Sequence, residues 1–178
     1  TGAPAAVTTA DADGLAYMRE EEKLAQDVYQ ALYAKWGLPI FQNIARSEAT
    51  HTSAIATLLT SRNLPDPAAT LPAGQFDNPQ LQSLYTTLVE QGSRSIPDAL
   101  RVGATIEDLD ISDLRARAST QPDIQRVYAN LTKGSRNHLR SFTSQLMAQS
   151  GQSYTPQYIA QADYDAIIQS ATERGPAR

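Results

Sequence analysis

The chain has 178 residues, 41% apolar and 19% charged, which is enough for one globular domain with a core and unlike a disordered chain. A net charge of -4, a pI near 5.1 and the lack of any basic stripe with interleaved aromatics argue against a nucleic-acid binder. The absence of cysteine excludes disulfides, thiolate zinc sites, iron–sulfur clusters and thiol nucleophiles, and no run approaches the roughly 18 apolar residues that span a bilayer.

Residues 1–12 are small, polar and Pro/Ala-rich, and are expected to be a flexible N-terminal segment. Such a stretch resembles the tether left once a signal peptide is removed, which places the protein outside the cytoplasm, secreted or periplasmic. A frayed cytoplasmic N-terminus reads the same way. A first long helix is predicted from about Asp13 to Trp36, stopped by Gly37 and Pro39. Its apolar positions, Leu15, Met18, Ala25, Tyr29, Leu32 and Trp36, are spaced by three and four, and Glu22 falls in the same series.

A second long helix is predicted from about Pro39 to Arg62, with Ile44, Ile55, Leu58 and Leu59 on its apolar stripe. Glu48 and His51 lie on that stripe too. The Pro/Gly-rich "PDPAATLPAGQFDNPQ" reads as a long crossover loop, followed by a shorter helix from about Pro79 to Gln91. Ser95 is a good N-cap for a third long helix, with Pro97 in its first turn. The inner face of that helix reads Leu100, Gly103, Glu107, Ile111 and Leu114, with Asp110 at its edge.

A fourth long helix is predicted from near Gln121–Pro122 to about Gln149, with an inner face of Ile124, Tyr128, Leu131, Ser135, His138, Phe142 and Leu146. The tail "YTPQYIAQADYDAIIQSA" holds a short amphipathic helix with Tyr164, Ile167 and Ile168 inward, and the final "ERGPAR" reads as loose. No segment alternates with period two, so the fold class is all-α. The expected organisation is a flexible segment at 1–12, a four-helix bundle at 13–150 with a long crossover between the second and third long helices, and an extension at 151–178 packed on it.

The inward ionisable groups are therefore Glu22, Glu48, His51, Glu107 and His138, with Asp110 and Ser135 beside them. A spacing of three puts Glu48 over His51, and Ser135 over His138, on one helix face. Taken singly, each has a plainer reading. Glu22 belongs to "REEEK", a solvated charge run, and a lone inward histidine is more often a satisfied core residue than a ligand. Together they are harder to dismiss, because the chain's only two histidines both fall on inner faces. Buried carboxylates persist when paired with cations, and the inward set holds no Lys or Arg, so metal ions are the natural counter-charge. Bridging carboxylates with one imidazole per ion suit iron or manganese, with zinc also possible. Tyr17, Tyr29 and Tyr128 read as core aromatics, and Tyr29 could also donate a hydrogen bond to a ligating carboxylate.

These residues resemble the ferritin-like superfamily of di-iron carboxylate proteins. Its pattern is a Glu on the first helix, Glu-x-x-His on the second, a Glu on the third and Glu-x-x-His on the fourth. Here "EKLAQDVY" is similar to the ferritin first-helix motif, "EATH" matches the second element and "GATIEDLDI" carries Glu107 as the third. More narrowly, "EEEKLAQDVY", "IEDLDISDL", "GSRNHLRSF" and the tail look like a bacterial ferritin-like family known only as a domain of unknown function. The resemblance covers about Leu15 to Gln149 and implies a ferritin-like four-helix bundle holding two metal ions. Glu22 and His51 would then hold one ion, Glu107 and His138 the other, and Glu48 would bridge.

The fourth helix departs from the pattern, with "SRNH" placing Ser135 where the second Glu is expected. Three carboxylates do not balance two divalent ions. Asp110, a hydroxide or an exogenous anion could supply the missing charge; alternatively one metal position is weak and the site is mononuclear. The expected chemistry is that of a di-metal oxidoreductase, Fe(II) oxidation or peroxide reduction, with dioxygen or peroxide as co-reactant. A non-enzymatic metal carrier and a metal-free interaction bundle are the alternatives, and a homodimer is one option for the assembly. Ser135 and His138 share one helix without a G-x-S-x-G elbow, and no Walker loop or dinucleotide fingerprint occurs.

Overall fold

A computed structural model describes residues 6–177. The described residues are all-helical: α1 (Thr9–Trp36), α2 (Pro39–Ser61), α3 (Pro79–Gly92), α4 (Ile96–Ala116), α5 (Pro122–Ser150) and α6 (Gln161–Gln169). No described helix is long and apolar enough to cross a membrane. Helix α1 starts earlier than the sequence reading expects. Thr8 and Asp11 form a capping box, so the chain is already helical at Thr9 and the flexible segment expected at 1–12 does not extend that far. Residues 1–5 of that segment lie outside the described residues.

Gly37, in the left-handed conformation, closes α1, and α2 starts two residues later with Pro39 in its first turn. The short link makes α1 and α2 an antiparallel pair. Helices α4 and α5 form a second pair, α1 also meets α4 and α2 meets α5, while α3 rests on α1 and α4 and α6 on α5. The interior holds two apolar clusters. One contains Leu24, Val28, Tyr29, Phe41, Leu100, Leu139 and Phe142. The other contains Leu15, Met18, Ile55, Leu59, Leu114, Ile124 and Leu131. Between them, at residues 21–22, 48–51, 107–110 and 135–138, lies a polar layer.

The "REEEK" run is not solvated as expected from its composition: Glu20, Glu21, Glu22 and Lys23 are all buried. Glu20 and Lys23 are buried because the crossover loop folds over them. Glu20 accepts the backbone N–H of Asp77 at 2.6 Å, and Lys23 donates to Asp27 at 2.5 Å and to the carbonyls of Pro72 and Gln75. Asp27 in turn accepts the N–H of Gly74, and the Lys23 ammonium lies over the Phe76 ring at 4.6 Å. Charges on α1 thus serve as backbone caps for a loop that has no secondary structure of its own.

The tail is held in a similar way. Asp108, fully buried on α4, accepts the Tyr154 hydroxyl at 2.7 Å and the backbone N–H groups of Gln157, Tyr158 and Ile159. On α6, Tyr164 and Ile167 are buried, whereas Ile168, expected inward, is exposed at 36%. The last described residues are not loose. Glu173 is bound by Arg136 at 2.6 Å and by Arg140 at 3.1 Å, and Ala177 N–H donates to Asn130. Arg178 lies outside the described residues.

Candidate metal centre

The five inward ionisable residues converge in the polar layer. From α1 comes Glu22, from α2 Glu48 and His51, from α4 Glu107 and from α5 His138. The Glu22, Glu48 and Glu107 side chains are at most 3% exposed. They form two donor groups that share Glu48. Glu22, Glu48 and His51 each offer one donor atom, all within 4.8 Å of one another, and so do Glu48, Glu107 and His138. Two donors on opposite sides of one ion at about 2.1 Å each stand about 4.2 Å apart, so either group can close on an ion with small side-chain movements.

Both imidazoles face the carboxylates through Nδ1. His51 Nδ1 is 2.8 Å from Glu48 Oε2 and 3.2 Å from Glu22 Oε2. His138 Nδ1 is 2.7 Å from Glu48 Oε1 and 3.4 Å from Glu107 Oε1. The His138 contacts are close but not hydrogen bonds: His138 Nδ1, Glu48 Oε1 and Glu22 Oε1 are buried without a hydrogen-bond partner among the described residues. The rings lie face to face with centroids 5.7 Å apart. Buried lone pairs aimed at one another are costly unless a proton or cation sits between them. A cation fits this donor set.

Neighbours fix the donors. Tyr29 donates to Glu107 Oε1 at 2.6 Å from inside the apolar cluster. Ser135 donates to Asp110 Oδ2, while Oδ1 of Asp110 has no hydrogen-bond partner among the described residues. The two residues beside the donors therefore meet each other, and neither belongs to the two donor groups. Two further residues escape the sequence reading. Ser47 Oγ shares a hydrogen bond with His138 Nε2 at 3.0 Å, leaving Nδ1 to face the acids. Gly134 lies against His51, where an added Cβ would stand 2.5 Å from Cε1 and 2.7 Å from Nε2. A glycine inside a helix costs about 0.5–1 kcal/mol relative to alanine, so its place in α5 is a signal of close approach.

The electrostatics reflect buried acids that outnumber the two histidines. Burial, then the charges of Asp110 and Glu48, pushes Glu22 well above the usual carboxylate range. Burial and the neighbouring Glu48 raise Glu107 despite His138. Burial would also raise Glu48, but His138 and then His51 override it and hold this carboxyl low. Burial opposes charging of the histidines, yet Glu48 raises His51, and Glu107 with Glu48 raises His138 further. Asp110 is pushed up to about 7 by burial and by Glu107, with Ser135 pulling the other way. Lacking a cation, this layer reaches neutrality only by holding protons.

Residues 11–171 match the family described as uncharacterized protein domain DUF2202. The chain belongs to this family. It is 52% identical over 174 residues to uncharacterized protein MJ0754 of Methanocaldococcus jannaschii, covering 97% of this chain and 94% of the relative. The crystal structure of hypothetical protein MJ0754 from Methanococcus jannaschii superposes with a TM-score of 0.92 at 50% identity, covering 97% of this chain and 99% of that one. In this DUF2202 chain the matched region spans both donor groups, from Glu22 to His138.

Proposed function

We propose that this chain is a ferritin-like four-helix bundle holding two metal ions, iron foremost, at the polar layer between its apolar clusters. The observation that carries this reading is Glu48: one carboxylate shared by two donor groups, each completed by one more carboxylate and one histidine. Glu22 and His51 hold one ion, Glu107 and His138 the other, and Glu48 bridges. A set of oxygen and imidazole donors without thiolate suits iron, manganese or zinc.

The serine at 135 is compensated from α4. With Asp110 ionised, the four carboxylates carry the charge that two divalent ions neutralise. The Ser135 hydroxyl donates to one oxygen of Asp110, and the other oxygen is buried without a hydrogen-bond partner among the described residues. This favours two ions over one. Bound iron would supply one-electron chemistry with dioxygen or peroxide, as in Fe(II) oxidation or peroxide reduction. The protein's part is to keep Glu107 oriented through Tyr29, to keep His138 Nδ1 inward through Ser47 and to exclude bulk water with the two apolar clusters.

The test is anaerobic loading with Fe(II), followed by rapid mixing with dioxygen or with peroxide. The redox reading expects two ions per chain and a fast optical change on mixing. Two ions with no change on mixing would instead identify a metal carrier.

A further inference from the structure

The two donor groups share Glu48 but are not held alike. Beside Glu107 and His138, each outer ligand is gripped from outside the donor set. Tyr29 donates to Glu107 Oε1 at 2.6 Å, and its ring packs against Phe41 and Phe142. Ser47 Oγ stands 3.0 Å from His138 Nε2. When Ser47 accepts the Nε2–H, the Nδ1 lone pair stays free for an ion and the imidazole becomes a better donor.

Beside Glu22 and His51 no such grip occurs among the described residues. Glu22 Oε1 is buried without a partner, and Oε2 reaches only as far as His51 Nδ1 at 3.2 Å, itself a donor of the set. The His51 ring bonds through Nδ1, to Glu48 and Glu22, and its Nε2 has no hydrogen-bond partner among the described residues. Contact alone places this ring. Its Cε1 and Nε2 lie so close to Gly134 that a Cβ there would stand 2.5 Å and 2.7 Å away. Contact fixes where a ring lies, but it selects no tautomer and adds no basicity. An orienting hydrogen bond is worth about 10- to 100-fold in metal affinity.

We propose that the two positions differ in role: the one beside Glu107 and His138 retains its ion, and the one beside Glu22 and His51 is where a divalent cation, Fe(II) foremost, enters and leaves as substrate. The proposal rests on reading the centre as a metal site. Ser47 is then the positioning residue of the retaining position, and Gly134 that of the exchanging one.

The experiment is anaerobic titration with Co(II), read by its absorption bands, on chains that keep one position each. His51→Ala keeps the Glu107 side and His138→Ala keeps the Glu22 side, so no second ion competes for Glu48. The Glu107 side is expected to bind about 10- to 100-fold more tightly. Adding Ser47→Ala should bring it down toward the Glu22 side, which the same change leaves unaltered. Adding Gly134→Ala should abolish binding on the Glu22 side and spare the Glu107 side, where the ring it would strike is gone. A merely structural role of either residue would weaken both sides together. Where a histidine variant does not fold, Glu22→Gln and Glu107→Gln isolate the same positions for the affinity comparison. From wild type filled with two ions, a chelator is expected to strip one first and leave the spectrum of His51→Ala. Equal affinities, a tighter Glu22 side, or survival of the His138→Ala spectrum would overturn the proposal while the centre stands. If wild type itself binds no Co(II), the reading of the centre falls, and the proposal with it.

Discussion

Nδ1 of His138 stands 2.7 Å from Oε1 of Glu48, yet no hydrogen bond joins them. Two groups that close would normally align a proton between them. Here each faces a point that also has Glu107 within reach. The other oxygen of Glu48 is hydrogen-bonded to His51 Nδ1 at 2.8 Å, and that same nitrogen also reaches Glu22 at 3.2 Å. Glu48 is therefore the hinge of the proposed centre, and most consequences follow from it.

Glu48→Gln removes the shared anion while keeping the shape. Elemental analysis after loading is expected to show neither ion retained. The metal-free variant is expected to fold, since an amide is less costly to bury than a carboxylate.

Variants on one side only should separate the two positions. Glu22→Gln or His51→Ala is expected to leave one ion per chain, held by Glu48, Glu107 and His138. Glu107→Gln or His138→Ala leaves the other. Metal counts and the spectrum of Co(II)-loaded protein distinguish the two half-filled forms.

Tyr29→Phe keeps the ring contacts with Phe41 and Phe142 and deletes the donor to Glu107. An orphaned buried acceptor costs about 1–3 kcal/mol, to be read from chemical denaturation. Metal affinity at the Glu107 position is expected to fall about 10- to 100-fold, the usual effect of losing a group that orients a ligand.

Lys23→Ala breaks a buried pair and frees Asp27, Pro72 and Gln75 at once. The expected loss is about 3–5 kcal/mol, because Asp27 is left as an uncompensated buried charge. Hydrogen exchange should locate the effect in residues 72–78, whereas the donors on α2 and α5 stay protected.

Acid should release the tail. Hydrogen bonds from Arg136 and Arg140 hold Glu173 at about 2, below its ordinary 4.5. A depressed carboxylate stabilises fully above its unfolded value, and that contribution is lost as pH falls from about 4.5 toward 2. Limited proteolysis at the C-terminus is expected to accelerate over that window in wild type. Glu173→Gln should be cleaved quickly at all pH values.

Glu22, Glu48, His51, Glu107 and His138 are legible in sequence as one set because a charged group on an apolar stripe is visible from spacing alone. The structure brings all five together. The four long helices are legible for the same reason, through proline, glycine and serine at their ends. The burial of Glu20 and Lys23 is not legible, because their partners are backbone groups of a loop some fifty residues away. Ser47 hides for another reason: it looks like any helix-surface serine until α5 brings His138 to it. The start of α1 lies before Asp13 because Thr8 and Asp11 cap it, inside a stretch whose small, Pro/Ala-rich composition reads as flexible. The final "ERGPAR" reads as loose because the anchors of Glu173, Arg136 and Arg140, lie on α5.

The central claim is most directly tested by anomalous diffraction at the iron, manganese and zinc edges, on crystals of protein loaded anaerobically. The account predicts two peaks on either side of the Glu48 carboxylate, one beside Glu22 and His51 and one beside Glu107 and His138. Loaded crystals with no peak between the helices, or with ions that leave Glu48 unliganded, would contradict it.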